Sequence, residues 1–177
     1  IGETNNLADD MPGKVKAMKK QLEAHVEEAQ ILLPRKNKNY AGNVAASWWG
    51  SKDTELSVSD KVLHIKSIGP SPTIETYYTP NVRDECFRLE FMMKSTSSGN
   101  GKLSWKVRGD KDYNEKNTVS FKSIHDGDWH KHSVKFPLKG VLSTLRIIPS
   151  AGTGNIEIKN IEMITENGYF IRDWPLY

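Results

Sequence analysis

Residues 102–108 read Lys102-Leu103-Ser104-Trp105-Lys106-Val107-Arg108. Apolar and polar side chains alternate at every position, which is the period of a strand with one buried face. Leu103, Trp105 and Val107 form the inner face; Ser104, Lys106 and Arg108 form the outer one. The same period recurs on either side. Phe87, Leu89 and Phe91 oppose Arg88, Glu90 and Met92; Val119 and Phe121 oppose Ser120 and Lys122; Ile156 and Ile158 oppose Glu157 and Lys159. Strands are predicted over 55–59, 62–67, 74–79, 87–94, 102–108, 118–124, 130–136, 144–148, 155–164 and 170–174. Gly, Pro, Asn and Asp punctuate the gaps. Ser59-Asp60-Lys61 and Asp126-Gly127-Asp128 read as hairpin turns. Short strands at this spacing predict a β-sandwich or jelly roll over residues 52–177.

Upstream the period changes. Leu7, Met11, Val15, Met18, Leu22, Val26, Ala29 and Leu33 advance by threes and fours, one face of an amphipathic α-helix. Asp9 or Asp10 suits its N-cap, Pro12 its first turn, and Pro34 stops it. Such a stripe must be buried against something, either the downstream domain or an upstream one. Residues 41–51, rich in Ala, Gly and Ser and containing Trp48-Trp49-Gly50, read as a junction between the two parts. The chain opens on Ile1 with neither Met nor a leader pattern, so a fragment of a longer protein is expected.

Composition excludes several classes. Of 177 residues, 27% are charged and 37% hydrophobic, which suits a packed domain. The single cysteine precludes an internal disulfide and a multi-cysteine metal site. No apolar run approaches the about 18 residues of a membrane span. A net charge of +3 lacks the basic excess of a nucleic-acid binder. No nucleophile elbow, P-loop, dinucleotide fingerprint or zincin helix occurs. His125, Asp126, Asp128, His130 and His132 carry the donor types of a transition-metal site. Asp126-Gly127 is equally a turn signal, and both readings stand.

Two stretches resemble known families. Gly2-Glu3-Thr4-Asn5-Asn6-Leu7-Ala8, followed by Pro12-Gly13-Lys14-Val15-Lys16-Ala17-Met18 and Pro34-Arg35-Lys36-Asn37-Lys38-Asn39-Tyr40, resembles the carboxyl-end region of formylglycine-dependent sulfatases. Lys38 departs from the usual Pro. The remainder is similar to a β-sandwich appended to some bacterial sulfatases and polysaccharide-degrading enzymes, of the galactose-binding-like and carbohydrate-binding jelly-roll type. The residues that carry this likeness are His125-Asp126-Gly127-Asp128-Trp129-His130-Lys131-His132, Leu145-Arg146-Ile147-Ile148-Pro149 and Gly154-Asn155-Ile156-Glu157-Ile158-Lys159-Asn160-Ile161.

The resemblance implies a sulfatase tail over 1–40 and a carbohydrate-binding-module-like sandwich over 52–177. It also implies a structural calcium, an upstream catalytic partner domain, and a bacterial, secreted location, extracellular or periplasmic. Cys86 lies in Glu85-Cys86-Phe87-Arg88-Leu89, which is not the Cys-Xaa-Pro-Xaa-Arg nucleophile signature. Binding without catalysis is therefore expected, and no catalytic residue or dedicated cofactor is assigned.

Sugar rings stack on Trp and Tyr, and sulfated sugars call for Arg and Lys. The expected partner is an anionic or sulfated polysaccharide, with no nucleic acid and no membrane. The candidate binding residues are Lys106, Arg108, Tyr113, Lys122 and Tyr77. Tyr113, in the polar loop Asp110-Lys111-Asp112-Tyr113-Asn114, is expected to be the best exposed aromatic. Tyr77 and Tyr78 are expected on opposite faces, Trp105 in the core and Trp129 packed on its turn. The alternative is a structural or oligomerisation domain that braces a catalytic domain and binds no glycan.

Overall fold

The computed structural model describes Met11, residues 13–18, 20 and 21, and residues 43–177. The chain divides into two units, Ile1–Asn37 and Lys38–Tyr177. In the first, residues 13–18, 20 and 21 are helical, and the Met11 carbonyl accepts from the N–H groups of Lys14 and Val15. Met11, Val15 and Met18 of the apolar stripe are exposed. The rest of the helix expected over 7–33, and of the sulfatase-like stretch over 2–40, lies outside the described residues.

The second unit is a β-sandwich of two antiparallel sheets. Its strands are β1 (Val44–Ala45), β2 (Trp48–Gly50), β3 (Thr54–Ser59), β4 (Val62–Ser67), β5 (Ile74–Thr76), β6 (Cys86–Ser95), β7 (Gly101–Val107), β8 (Thr118–Phe121), β9 (Trp129–Pro137), β10 (Leu142–Ile148), β11 (Gly154–Thr165) and β12 (Phe170–Trp174). Sheet A runs β1-β2-β5-β10-β7-β8, and sheet B runs β3-β4-β11-β6-β9. The long strand β11 pairs with β6 on one side. Its other side is shared, β4 taking residues 154–158 and β12 taking residues 161–164. A register shift between Lys159 and Glu162 marks the handover, with Asn160 at a φ of 53°.

Alternation sets the faces as expected. Leu103, Trp105, Leu145 and Ile147 of sheet A meet Phe87, Leu89, Met93, Phe136, Ile156 and Ile158 of sheet B in one core. Aromatic rings connect the layers: Trp105 lies 5.2 Å from Phe136, Phe91 lies 5.7 Å from Phe121, and Trp48 lies 6.0 Å from Trp174. Each buried side chain of this size contributes about 1.5–3 kcal/mol of transfer free energy. Gly101 admits the Phe121 ring against its backbone, and any Cβ there would strike that ring.

Two expectations change. Residues 41–51, read as a junction, hold β1 and β2 from Val44 onward, and Trp48 is fully buried. Strands of two and three residues are too short for alternation to register. Asp126-Gly127-Asp128 does not join paired strands: β8 belongs to sheet A and β9 to sheet B, and the Gly127 N–H donates to the Ser95 carbonyl. The turn is a crossing between layers. By contrast, Asp60 and Lys61, at φ values of 50° and 60°, close a true hairpin between β3 and β4. Cys86 is partly buried, its Sγ 3.7 Å from the Phe136 carbonyl.

Two outcomes test this packing. Phe136→Ala should destabilise the sandwich by about 3–5 kcal/mol in urea unfolding, because the ring is fully buried between Phe87 and Trp105. His132 is 5.3 Å from the Phe91 ring and 5.5 Å from the Phe121 ring, and its Nε2 has no hydrogen-bond partner among the described residues. Burial first, then the nearby His130 and His125, hold its imidazole below the ordinary value. The folded state thus favours the neutral ring. Its contribution to stability is full above the ordinary imidazole value of about 6.5 and is lost as pH falls through it toward the lowered folded value. His132→Phe keeps the ring contacts and cannot titrate. Its stability relative to the parent should rise from about pH 8 to about pH 5; a difference independent of pH would contradict the assignment.

Candidate functional site

The outer face of sheet A carries one continuous row of side chains across five strands. Strand register aligns Trp49 of β2 with Glu75 of β5, Glu75 with Arg146 of β10, Arg146 with Ser104 of β7, and Ser104 with Thr118 of β8. Each of these residues alternates with a core residue on its strand, so the pleat directs all five outward. The Ser104 and Thr118 hydroxyls share a hydrogen bond of 2.9 Å.

Glu75 organises the row. Its side chain is only 4% exposed, which is unusual for a carboxylate on an outer sheet face. Arg146 donates to its Oε2 through Nη2 at 3.1 Å and Nε at 3.3 Å. The Tyr113 hydroxyl donates to the same oxygen at 2.9 Å, and the Tyr77 hydroxyl donates to Oε1 at 2.9 Å. A desolvated carboxylate needs such charge-assisted donors. One acid therefore fixes two phenols and a guanidinium.

The tyrosines come from loops that the sheet holds down. Tyr113 lies between β7 and β8. Asp110 accepts from the Val107 N–H and the Asn117 side-chain amide, and Asn114 caps the short 3-10 turn Glu115–Asn117. The Arg146 guanidinium lies 3.5 Å from the Tyr113 ring centroid, and the Lys106 ammonium lies 5.0 Å from it. Burial, then the Glu75 charge, pushes the Tyr113 phenol well above its ordinary value, so it remains a hydrogen-bond donor. Tyr77 and Tyr78 follow β5 directly. Trp49 packs edge-on to Tyr77 at 5.3 Å and stacks on Tyr78 at 5.8 Å. The Tyr78 carbonyl accepts from the buried Trp174 indole at 2.9 Å, which ties this segment to the core.

The arrangement is an aromatic platform at the β2–β5 end and a cationic, hydroxyl-bearing floor at the β10–β7–β8 end. Of the residues expected from sequence, Tyr77, Tyr113 and Lys106 come together here. Tyr113 is half-buried under its Glu75 and Arg146 contacts and is not the best exposed aromatic. Tyr77 and Tyr78 do not take opposite faces. Alternation ends with β5 at Thr76, and both rings are exposed beside Trp49. Arg108 and Lys122 are exposed just beyond the ends of β7 and β8, and no hydrogen bond or ion pair links their side chains to the Glu75 group. Trp49 and Tyr78, aromatic candidates by residue type, and Glu75 and Arg146 complete the group and were not among the five chosen binding residues. Trp49 is the alternate of the buried Trp48, and the Glu75–Arg146 pair spans 71 positions of sequence.

The histidine-rich phrase does not converge. His125 shares hydrogen bonds of 2.7 Å with the Ser95 hydroxyl and the Gly99 carbonyl. His130 binds Asp126 at 2.9 Å, while the His132 ring points into the core. Among the described residues no three His, Cys, Asp or Glu side chains gather as a metal site. The phrase gains no ligand set of that kind. Trp129 lies on the outer face of sheet B under the Lys159 ammonium, 4.1 Å from its ring.

No family model matches the chain, and no curated protein matches it by sequence. Solved structures do. The CBM22-1–GH10 modules of the Clostridium thermocellum xylanase 10B, complexed with xylohexaose, match 71% of this chain at 14% identity with a TM-score of 0.52. The chain spans 27% of that xylanase chain. The enzymatically active domain of tailspike protein 4 from bacteriophage CBA120 matches 77% of the chain and 21% of its own length, at 10% identity and a TM-score of 0.53. A mutant family 29 carbohydrate-binding module matches 76% of the chain and 94% of its own length, at 15% identity and a TM-score of 0.51. At such identities the likeness establishes the fold, a β-sandwich of the kind found in carbohydrate-binding modules. An enzymatically active domain stands among the three, so function must be argued from the site.

Glu75→Ala should destabilise the domain by about 3 kcal/mol, the low end for a broken buried pair because Arg146 keeps access to water. Glu75→Gln, whose amide oxygen can still accept from a phenol, should cost less in the same thermal melts. Equal melting of both variants and the parent would show that the carboxylate organises nothing.

Proposed function

We propose that this chain is a carbohydrate-binding module that holds an anionic or sulfated polysaccharide on the outer face of sheet A and performs no catalysis of its own. The observation that carries the reading is the Trp49–Tyr77–Tyr78 platform set in one row with the Glu75–Arg146 pair. Aromatic faces accept the C–H faces of pyranose rings, and the fixed guanidinium, phenols and hydroxyls offer directed hydrogen bonds along the same line. Within the described strands of sheet A, Lys102, Lys106 and Arg146 outnumber the one carboxylate, Glu75, which favours an anionic chain over a neutral one. Arg108 and Lys122 would add positive charge for a chain that extends past the row.

The xylanase modules and the family 29 module share this fold, and a polysaccharide-binding role here is in keeping with theirs. In this reading the module tethers a sulfatase-like catalytic domain to its substrate outside the cell or in the periplasm. It raises the local substrate concentration through a second, weak contact. The bracing alternative draws on the exposed Tyr169 and Phe170, at 73% and 62% exposure. It is separable, because it requires self-association or a domain contact and no glycan.

Affinity electrophoresis in gels containing carrageenan, fucan, ulvan or a glycosaminoglycan tests the proposal. The chain should be retarded in at least one. Trp49→Ala should weaken that retardation about tenfold, equivalent to about 1.4 kcal/mol. A folded chain that runs unretarded in every gel would count against the proposal.

A further inference from the structure

The two sheets treat their outward lysines differently. On sheet B, Lys66 pairs with Glu55 at 3.0 Å, Lys94 with Glu157 at 3.6 Å, Lys131 with Glu90 at 2.6 Å, and Lys135 with Glu166. Lys159 lies over the Trp129 ring. On sheet A, Lys106 has no carboxylate partner among the described residues; its ammonium lies 5.0 Å from the Tyr113 ring that Arg146 also contacts, and register makes the two cations diagonal neighbours on β7 and β10.

Arg146 is itself only partly used. A guanidinium carries five N–H donors. Glu75 takes Nε and one donor of Nη2, and Tyr113 covers a face of the guanidinium plane. No hydrogen bond to Nη1 exists among the described residues. The remaining in-plane rim is held rigidly by these two contacts. A rim of this kind is suited to two parallel hydrogen bonds to an oxyanion.

We propose that the Nη1 rim of Arg146 and the Lys106 ammonium form an oxyanion subsite for a sulfate ester or carboxylate borne by the glycan. The inference rests on the carbohydrate-binding reading and narrows it to a charged substituent at a defined place. Trp49 and Arg146 stand two strands apart, about 10 Å at the usual strand spacing. One strand spacing is close to the rise of one pyranose along an extended chain. A glycan lying along the row with one ring stacked on Trp49 therefore presents its charge two sugar units away.

Calorimetric titration with two matched pairs tests this: carrageenan with its desulfated form, and polygalacturonate with its methyl ester. The charged member of at least one pair should bind about tenfold tighter than its neutral partner, and the gap should shrink as salt is raised. Preference for carrageenan identifies sulfate, preference for polygalacturonate identifies carboxylate, and preference in both pairs identifies a general oxyanion subsite. Lys106→Gln should lose about fivefold toward the charged member and nothing toward the neutral one. Arg146→Lys, which keeps a charge beside Glu75 but lacks the planar rim, should lose charge preference as well. Lys135→Gln, on sheet B, should match the parent. Equal binding of charged and neutral members, or an intact preference in Lys106→Gln, overturns the subsite and leaves the carbohydrate reading standing. No binding to any of the four overturns the subsite, and absence of retardation in every gel overturns the carbohydrate reading as well.

Discussion

A carboxylate that has given up water must be answered by fixed donors, and among the described residues three side chains answer Glu75 at once. Arg146, Tyr77 and Tyr113 converge on its two oxygens. They belong to a neighbouring strand, the segment after β5 and the β7–β8 loop. Moving any one of them leaves charge or hydroxyl unpaired in a poorly hydrated place, which costs more than a typical hydrogen bond is worth. In the proposed role the site is thus built before a ligand arrives. Little ordering entropy remains for binding to meet, the condition under which a shallow surface can still be selective.

The sandwich beneath supplies the rigidity. Trp48 and Trp49 divide the work of one short strand: the first is fully buried against Trp174, and the second faces outward onto Tyr77 and Tyr78. Trp174 in turn donates to the Tyr78 carbonyl. A contact inside the core therefore fixes the aromatic platform outside it. Sheet B shows the ordinary alternative, an outer face on which most lysines are matched with a nearby glutamate. The unmatched cation and the buried ion pair of sheet A stand out against that background.

Much of the sandwich was legible in the residues. Strands such as Val62–Ser67 and Phe170–Trp174 begin and end where alternation and turn chemistry put them. The inward placement of Trp105 followed from Leu103 and Val107 alone. The short β1 and β2 left no period to read, and their turn uses Ala46 and Ser47 at positive φ without a glycine to announce it. The site was less legible because its logic is long-range. Tyr113 reads as a loop residue among Asp, Lys and Asn until Glu75, 38 positions earlier, is brought beneath it. Arg146 reads as one more outward charge until register sets it beside Glu75. Lys106 and Tyr77 were chosen by residue type and strand face, which is as far as local pattern reaches, and the structure brings both to the Glu75 group.

The claim that the outer face of sheet A is the ligand surface is tested most directly by mapping it. Backbone amide chemical shifts should be followed while an oligosaccharide from the bound polysaccharide is titrated into the isotopically labelled chain. The account predicts perturbations at residues 48–50, 74–78, 104–106, 113 and 144–147, with residues of sheet B's outer face unmoved. Perturbations centred on His64, Glu157, Lys94 and Trp129 instead, with sheet A silent, would contradict it.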